Sequence, residues 1–149
     1  MIRKARIADA AAIHRLLSNY AGEGKMLSRS LAEIYQVIRS FYVYEELGEV
    51  VGIVSLQIWW EDLAEVRSLA VDASQAGKGC GRQLVQACLD EARELGIGRV
   101  FALTYQQDFF ARLGFGVIDK SALPQKIWGD CVKCPKFPNC DEIAMLRTP

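Results

Sequence analysis

The sequence predicts an α/β fold, a mixed central sheet with helices on both faces, and three observations carry that reading. Apolar residues switch between helical spacing and strand alternation in the order β-α-α-β-β-β-α-β-α-β, with one further strand candidate at the end. One of the strands runs into a glycine-rich turn that opens directly into a long helix. The 149 residues, 51% of them apolar, suffice for one domain with a sizeable core and are too few for two ordinary ones.

The first strand candidate is Ile2 to Ile7. Asp9 is placed to cap a helix carrying Ile13, Leu16, Leu17 and Tyr20 on one face, and that helix gives way at Ala21 to Gly24. Ser30 and Glu33 have the spacing of a capping box, opening a second helix through Leu31, Ile34 and Ile38. Phe41 to Glu46 and Val50 to Trp60 read as a hairpin turning at Leu47-Gly48-Glu49, and Glu61-Asp62 turns the chain into the strand Leu63 to Val71. A long helix follows the glycines, with Leu84, Val85, Cys88, Leu89, Ala92 and Leu95 on one face and Gly96 as its stop. Val100 to Tyr105 is a buried strand, Asp108 caps a short helix ending at Gly114, and Phe115 to Asp119 and Glu142 to Arg147 are the last strands.

The glycine turn carries chemistry. Glycines at 77, 79 and 81 let the backbone approach an anion closely, and the first amides of the following helix point outward at it. Two familiar phosphate loops do not fit. Lys78 is followed by Gly79 rather than the Ser or Thr of a Walker A loop, and G-x-G-x-G is not the dinucleotide fingerprint. The string Leu69-Ala70-Val71 followed by Gly77-Lys78-Gly79-Cys80-Gly81-Arg82 and a helix instead resembles the acetyl-CoA loop of the GNAT N-acetyltransferases, and the element order over most of residues 1–120 is that of the same family.

This resemblance implies a GNAT acyltransferase fold, with its sheet splayed between the two central strands, and acetyl-CoA as co-substrate. It implies that Gly77, Lys78, Gly79, Cys80, Gly81 and Arg82 hold the pyrophosphate through their amides. Leu69, Ala70 and Val71 would pair with the pantetheine arm, the Leu69 N–H polarising the thioester carbonyl. One position departs from the pattern: Ala76 stands where relatives carry Arg or Gln, and Gln75 comes one residue early. Within the family, Arg29-Ser30, the run from Ala64 to Val71, Val100 to Thr104 and Phe109 to Phe115 resemble the acetyltransferase domain of N-acetylglutamate synthases. The absence of room for an amino-acid-kinase-like domain points to their short, single-domain form, with a Cys/Pro-rich insertion at about 121–141.

Glutamate carries two carboxylates, so its pocket needs at least two fixed cations, preferably guanidinium forks. Arg67 is the first candidate, because it lies between apolar neighbours in a strand expected to be central. Arg29 at the loop–helix junction is the second and Lys25 the third, against the default of a surface charge for each. Direct transfer also needs a proton acceptor. Glu65 matches the acidic residue of the synthases on this strand, on the same face as Arg67, with a solvated edge carboxylate or a water chain as the competing readings. Relatives often carry a Tyr beside the cofactor thiol, and the resemblance implies that Phe110, at that position, contacts the cofactor; Thr104, adjacent to Tyr105, matches a synthase Ser or Thr and would stabilise the departing thiolate.

Net charge is zero, which argues against nucleic acid or a membrane surface as the main partner; the N-terminus lacks an apolar core of signal-peptide length, and no apolar run is long enough to span a membrane. A cytoplasmic enzyme with a small-molecule substrate is expected, and exposed strand edges in such a sheet favour a homodimer. Five cysteines are an odd number and argue against a disulfide framework. Cys131, Cys134 and Cys140 have part of the spacing of a metal knuckle, for which Asp141, His14 or a partner would have to complete the set. The competing reading is a stiffened loop with small buried thiols over the pocket, and no metal is assigned. Two rivals follow: the same enzyme with another small amine as acceptor, and an acyl-CoA-binding metal or redox sensor. Cys80 and Cys88 read as packing residues, His14 as exposed, and of Trp59 and Trp60 one should face the core and the other the cleft or an interface.

Overall fold

The computed structural model describes residues 1–22, 29–124 and 142–149, with the side chains of residues 20–22 outside the description. The strands are β1 (Ile2–Lys4), β2 (Phe41–Glu46), β3 (Glu49–Trp60), β4 (Leu63–Val71), β5 (Arg99–Thr104), β6 (Gly116–Ile118) and β7 (Ile143–Arg147). The helices are α1 (Ala10–Gly22), α2 (Leu31–Gln36), α3 (Cys80–Leu95) and α4 (Gln107–Arg112). Seven strands form one mixed sheet in the order β1-β2-β3-β4-β5-β7-β6, in which β4 and β5 run parallel and the other pairs antiparallel.

Side-chain alternation explains why helices cover both faces. On β3, Ile53 packs with Phe41, Val43 and Ala70 against Ile13, Leu16 and Leu17 of α1, whereas Val54 and Leu56 pack with Ala64 and Val66 against Leu84, Val85 and Cys88 of α3. A third cluster joins Leu63, Phe101, Ala144 and Leu123, with Trp59 against it. The β2–β3 turn is a two-residue loop with both Leu47 (φ 52°) and Gly48 (φ 79°) left-handed, which matches the twist of the flanking strands.

The sheet opens in the middle. β4 and β5 share only three pairs, Leu63 with Arg99, Ala64 with Val100 and Glu65 with Phe101, and then part. β4 is also irregular against β3. Arg67 pairs with Ser55 and Ala70 with Ile53, so Ser68 and Leu69 together oppose Val54, a bulge with Ser68 in the left-handed region (φ 57°). A second irregularity lies at the far end of β3. Ile58 pairs with Ala64 and Trp60 with Leu63, so Trp59 is the extra residue.

Several expectations are corrected. Asp9 does not cap α1 but sits in a 3-10 turn, where its buried carboxylate accepts from the Arg6 N–H and from Arg3 (2.8 Å). β1 ends at Lys4 because of that turn. The Ser30–Glu33 capping box forms, but α2 is short and exposes Leu31. Leu95 lies at the end of α3 and is 54% exposed, outside the buried stripe of that helix. His14 is half-buried rather than exposed. Gln106, not Asp108, occupies the cap position of α4.

Candidate active site

The glycine turn is held from both sides. The Asp72 N–H donates to the Val51 carbonyl (2.8 Å), extending the β3–β4 pairing. The Asp72 carboxylate accepts from the Ser74 N–H (3.0 Å), and that bond keeps its carboxyl below the usual range. Gly77 (φ 78°) and Gly79 (φ 80°) then take left-handed conformations, and α3 begins at Cys80. The first helical bond runs from the Gln83 N–H to the Gly79 carbonyl (3.1 Å), so the amides of Cys80, Gly81 and Arg82 have no acceptor within the helix. No acidic residue lies in the first turn, and the Arg82 and Gln83 side chains lie close to Gly79. These groups suit a pyrophosphate. Lys78 differs from the expectation: its N–H already donates to the Gln75 carbonyl (3.2 Å), which leaves its ammonium as the group available to an anion.

The helix start is seated directly on the sheet. A Cβ at Gly52 of β3 would meet Cys80 Sγ at 2.8 Å and Leu84 Cδ1 at 3.0 Å, so any side chain there would push these two core residues off their present seat. Burial pushes the Cys80 thiol up to about 11, in keeping with packing rather than reactivity.

On the opposite face of β3 and β4 lies a shallow open cleft. Arg29, Ser40, Ser55, Gln57, Arg67 and Ser68 line it. Cross-strand register explains the row: Ser55 opposes Arg67 and Gln57 opposes Glu65, and residues two apart share a face. The cleft therefore brings together Arg29 and Arg67, far apart in sequence, beside the bulge at Ser68 and Leu69. The Arg67 side chain is 14% exposed, and its Nε lies 3.7 Å from Glu65 Oε1. Glu65 is buried, not a solvated edge carboxylate, and its Oε1 accepts from Trp59 Nε1 (2.9 Å).

Comparison with known proteins decides the family. The acetyltransferase (GNAT) family matches residues 11–115. The chain belongs to the GNAT acetyltransferases. An uncharacterized N-acetyltransferase of Chlorobaculum tepidum is 47% identical over 99% of this chain and 95% of its own length. An amino-acid acetyltransferase of Mycobacterium tuberculosis is 37% identical over 87% of this chain and 76% of its own. The acetyltransferase domain also matches within a longer solved chain, the N-acetylglutamate synthase of Neisseria gonorrhoeae complexed with coenzyme A and N-acetyl-glutamate. There the TM-score is 0.91 at 27% identity, covering 99% of this chain and 34% of the synthase. The protein is thus an acetyl-CoA-dependent N-acetyltransferase, with the open sheet of its family.

Within this GNAT frame the remaining residues fall into two groups. Leu69 is half-buried in the bulge and Val71 half-buried at the end of β4, while Ala70 is buried against α1. Thr104 is buried at the end of β5, where its Oγ1 accepts from the Gln106 N–H (2.7 Å) and so starts α4 while keeping its own proton to donate. Phe110 is corrected: it is 4% exposed and packs edge-to-face on Phe115, a core residue, whereas Phe109 is the ring lying against Gly81. Trp59 is the residue whose part was not foreseen; it packs against the third cluster but aims its N–H at Glu65. Tyr105 and Trp60 are exposed. Lys25, Cys131, Cys134, Cys140 and Asp141 lie outside the described residues. Among the described residues, no helix is long and apolar enough to cross a membrane.

Proposed function

We propose that this acetyltransferase acts on the α-amine of L-glutamate, giving N-acetylglutamate in the cytoplasm as the first step of arginine biosynthesis. The observation that carries the reading is the single cleft holding both Arg29 and Arg67 beside the β4 bulge. Two guanidinium groups in one small polar cleft match the two carboxylates of glutamate. The names of the similar amino-acid acetyltransferases and the likeness to a synthase domain support the same acceptor.

The proposed roles follow from position. The amides at the start of α3 and the Lys78 ammonium hold the pyrophosphate of acetyl-CoA, and the parted edge of β4 receives the pantetheine arm. The Leu69 N–H stabilises negative charge on the thioester oxygen as the neutral amine attacks. A carbon–nitrogen bond forms, the carbon–sulfur bond breaks, the amine loses a proton to water in the cleft, and the thiolate leaves beside the Thr104 hydroxyl. Arg29 and Arg67 fix the acceptor so that its amine meets the carbonyl.

Thiol release from acetyl-CoA against a panel of amino acids tests the acceptor. Glutamate is expected to be the preferred substrate, with Arg29→Ala and Arg67→Ala each raising its KM on the order of 10- to 100-fold. Activity with another amine and none with glutamate would overturn the substrate, and unchanged KM in both variants would remove the cleft from acceptor binding.

A further inference from the structure

We propose that Trp59 and Glu65 form a two-step brace that orients the Arg67 guanidinium toward the acceptor, and that Glu65 is a positioning residue rather than the proton acceptor. This rests on the reading that Arg67 binds the acceptor. Three observations point to it. Trp59 is the extra residue of the bulge at the end of β3, and a bulge re-aims the side chain it carries. Its Nε1–H donates to Glu65 Oε1 at 2.9 Å. The same oxygen faces Arg67 Nε at 3.7 Å, with the Glu65 and Arg67 side chains only 9% and 14% exposed.

The chemistry follows from this geometry. An ion pair at 3.7 Å, short of a hydrogen bond, biases where the guanidinium sits and so which of its N–H groups can face the cleft. Left to itself, a glutamate side chain samples several rotamers; the indole N–H selects one. Trp59 is suited to the task because its apolar rings pack against the third cluster while its indole N–H reaches the carboxylate. Glu65 Oε1 accepts from the Trp59 N–H and faces the Arg67 cation, so this oxygen serves the brace.

Steady-state kinetics with the best amino-acid acceptor tests this. Glu65→Gln and Trp59→Phe are each expected to raise the acceptor KM, by about 10-fold and about 3-fold. The loss should fall on that KM rather than on kcat or on the KM for acetyl-CoA, and the pH profile of kcat should keep its shape. Because Phe keeps the packed ring, Trp59→Phe reports on the hydrogen bond even if Glu65→Gln folds poorly. Combined with Arg67→Ala, neither variant should add a further loss, since the brace then has nothing to orient. A kcat loss beyond about 100-fold in Glu65→Gln, with disappearance of the acidic limb, would make Glu65 the base and overturn the proposal. Full additivity with Arg67→Ala would overturn it too. If Arg67→Ala alone leaves the acceptor KM unchanged, the binding reading fails, and the brace fails with it.

Discussion

The seat of α3 on the sheet can be tested at Gly52. An alanine there would put its methyl 2.8 Å from Cys80 Sγ and 3.0 Å from Leu84 Cδ1, both buried and both in the first turns of α3. Neither neighbour has room to retreat, because Cys80 and Leu84 belong to the packed cluster under the sheet. Overpacking of this kind costs about 1–3 kcal/mol, offset by roughly 0.5–1 kcal/mol from the lower chain entropy of alanine when unfolded. A net destabilisation of about 1–2 kcal/mol is expected for Gly52→Ala, with a raised KM for acetyl-CoA as the helix start is pushed off its seat. Urea unfolding at neutral pH, followed by calorimetric titration with acetyl-CoA, measures both. Cys80→Ala in the same chain should recover at least part of the loss, because the new methyl occupies space the sulfur vacates. A neutral Gly52→Ala, or a double variant no better than the sum of the singles, would refute the argument from contact.

Four other outcomes follow. Leu47→Asn should stabilise the protein by about 0.5 kcal/mol in thermal unfolding, because Leu47 is 99% exposed at a left-handed position that Asn adopts more readily. Gly79→Ala should raise the KM for acetyl-CoA and cost about 1 kcal/mol of stability, since φ 80° strains a side chain and the Arg82 guanidinium lies near. Asp9→Asn should cost about 2 kcal/mol at neutral pH. The Arg3 hydrogen bond holds the Asp9 carboxyl below its ordinary value of 3.8, so its stabilisation is complete above that value and fades as pH falls through the lower folded one. Urea unfolding across the acid range should therefore show the two proteins converging. Burial pushes the Cys80 thiol up to about 11 and the Cys88 thiol higher still, so peptide mapping after mild alkaline alkylation should find both unlabelled in the native protein.

Most of the fold was legible because local chemistry and tertiary packing agree. The bounds of β2 and β4, the Ser30–Glu33 box and the Gly96 stop follow from patterns that need no distant partner. The misreadings share a cause. Asp9, Leu95 and Phe110 each fit a rule for their own element, but their surroundings are set by packing outside that element: the Arg3 guanidinium of β1 for Asp9, solvent at the helix end for Leu95 and the Phe115 ring beyond α4 for Phe110. For the site, Arg29 and Arg67 were readable from the charge demand of the acceptor, and cross-strand register then brings Ser55 and Gln57 beside them. Trp59 was not readable as the partner of Glu65. Perfect alternation would keep their spacing regular, and only the extra residue between Ile58 and Trp60 turns its indole toward the carboxylate.

The parting of β4 and β5 has a mechanical consequence. With only three backbone rungs at that seam, the two halves of the sheet are joined largely by side chains. The buried stripe of α3 shares one apolar cluster with Leu56 and Val66 of one half and Val100, Ala102 and Met145 of the other, and on the opposite face Leu63 joins Phe101 and Ala144 in the third cluster. Apolar packing therefore bridges the seam on both faces of the sheet, and α3 begins at one end of the larger of these clusters. Under the proposed pyrophosphate site, cofactor binding would load the start of a helix that packs into this bridge, so occupancy should be felt as added stability at the sheet's weakest joint.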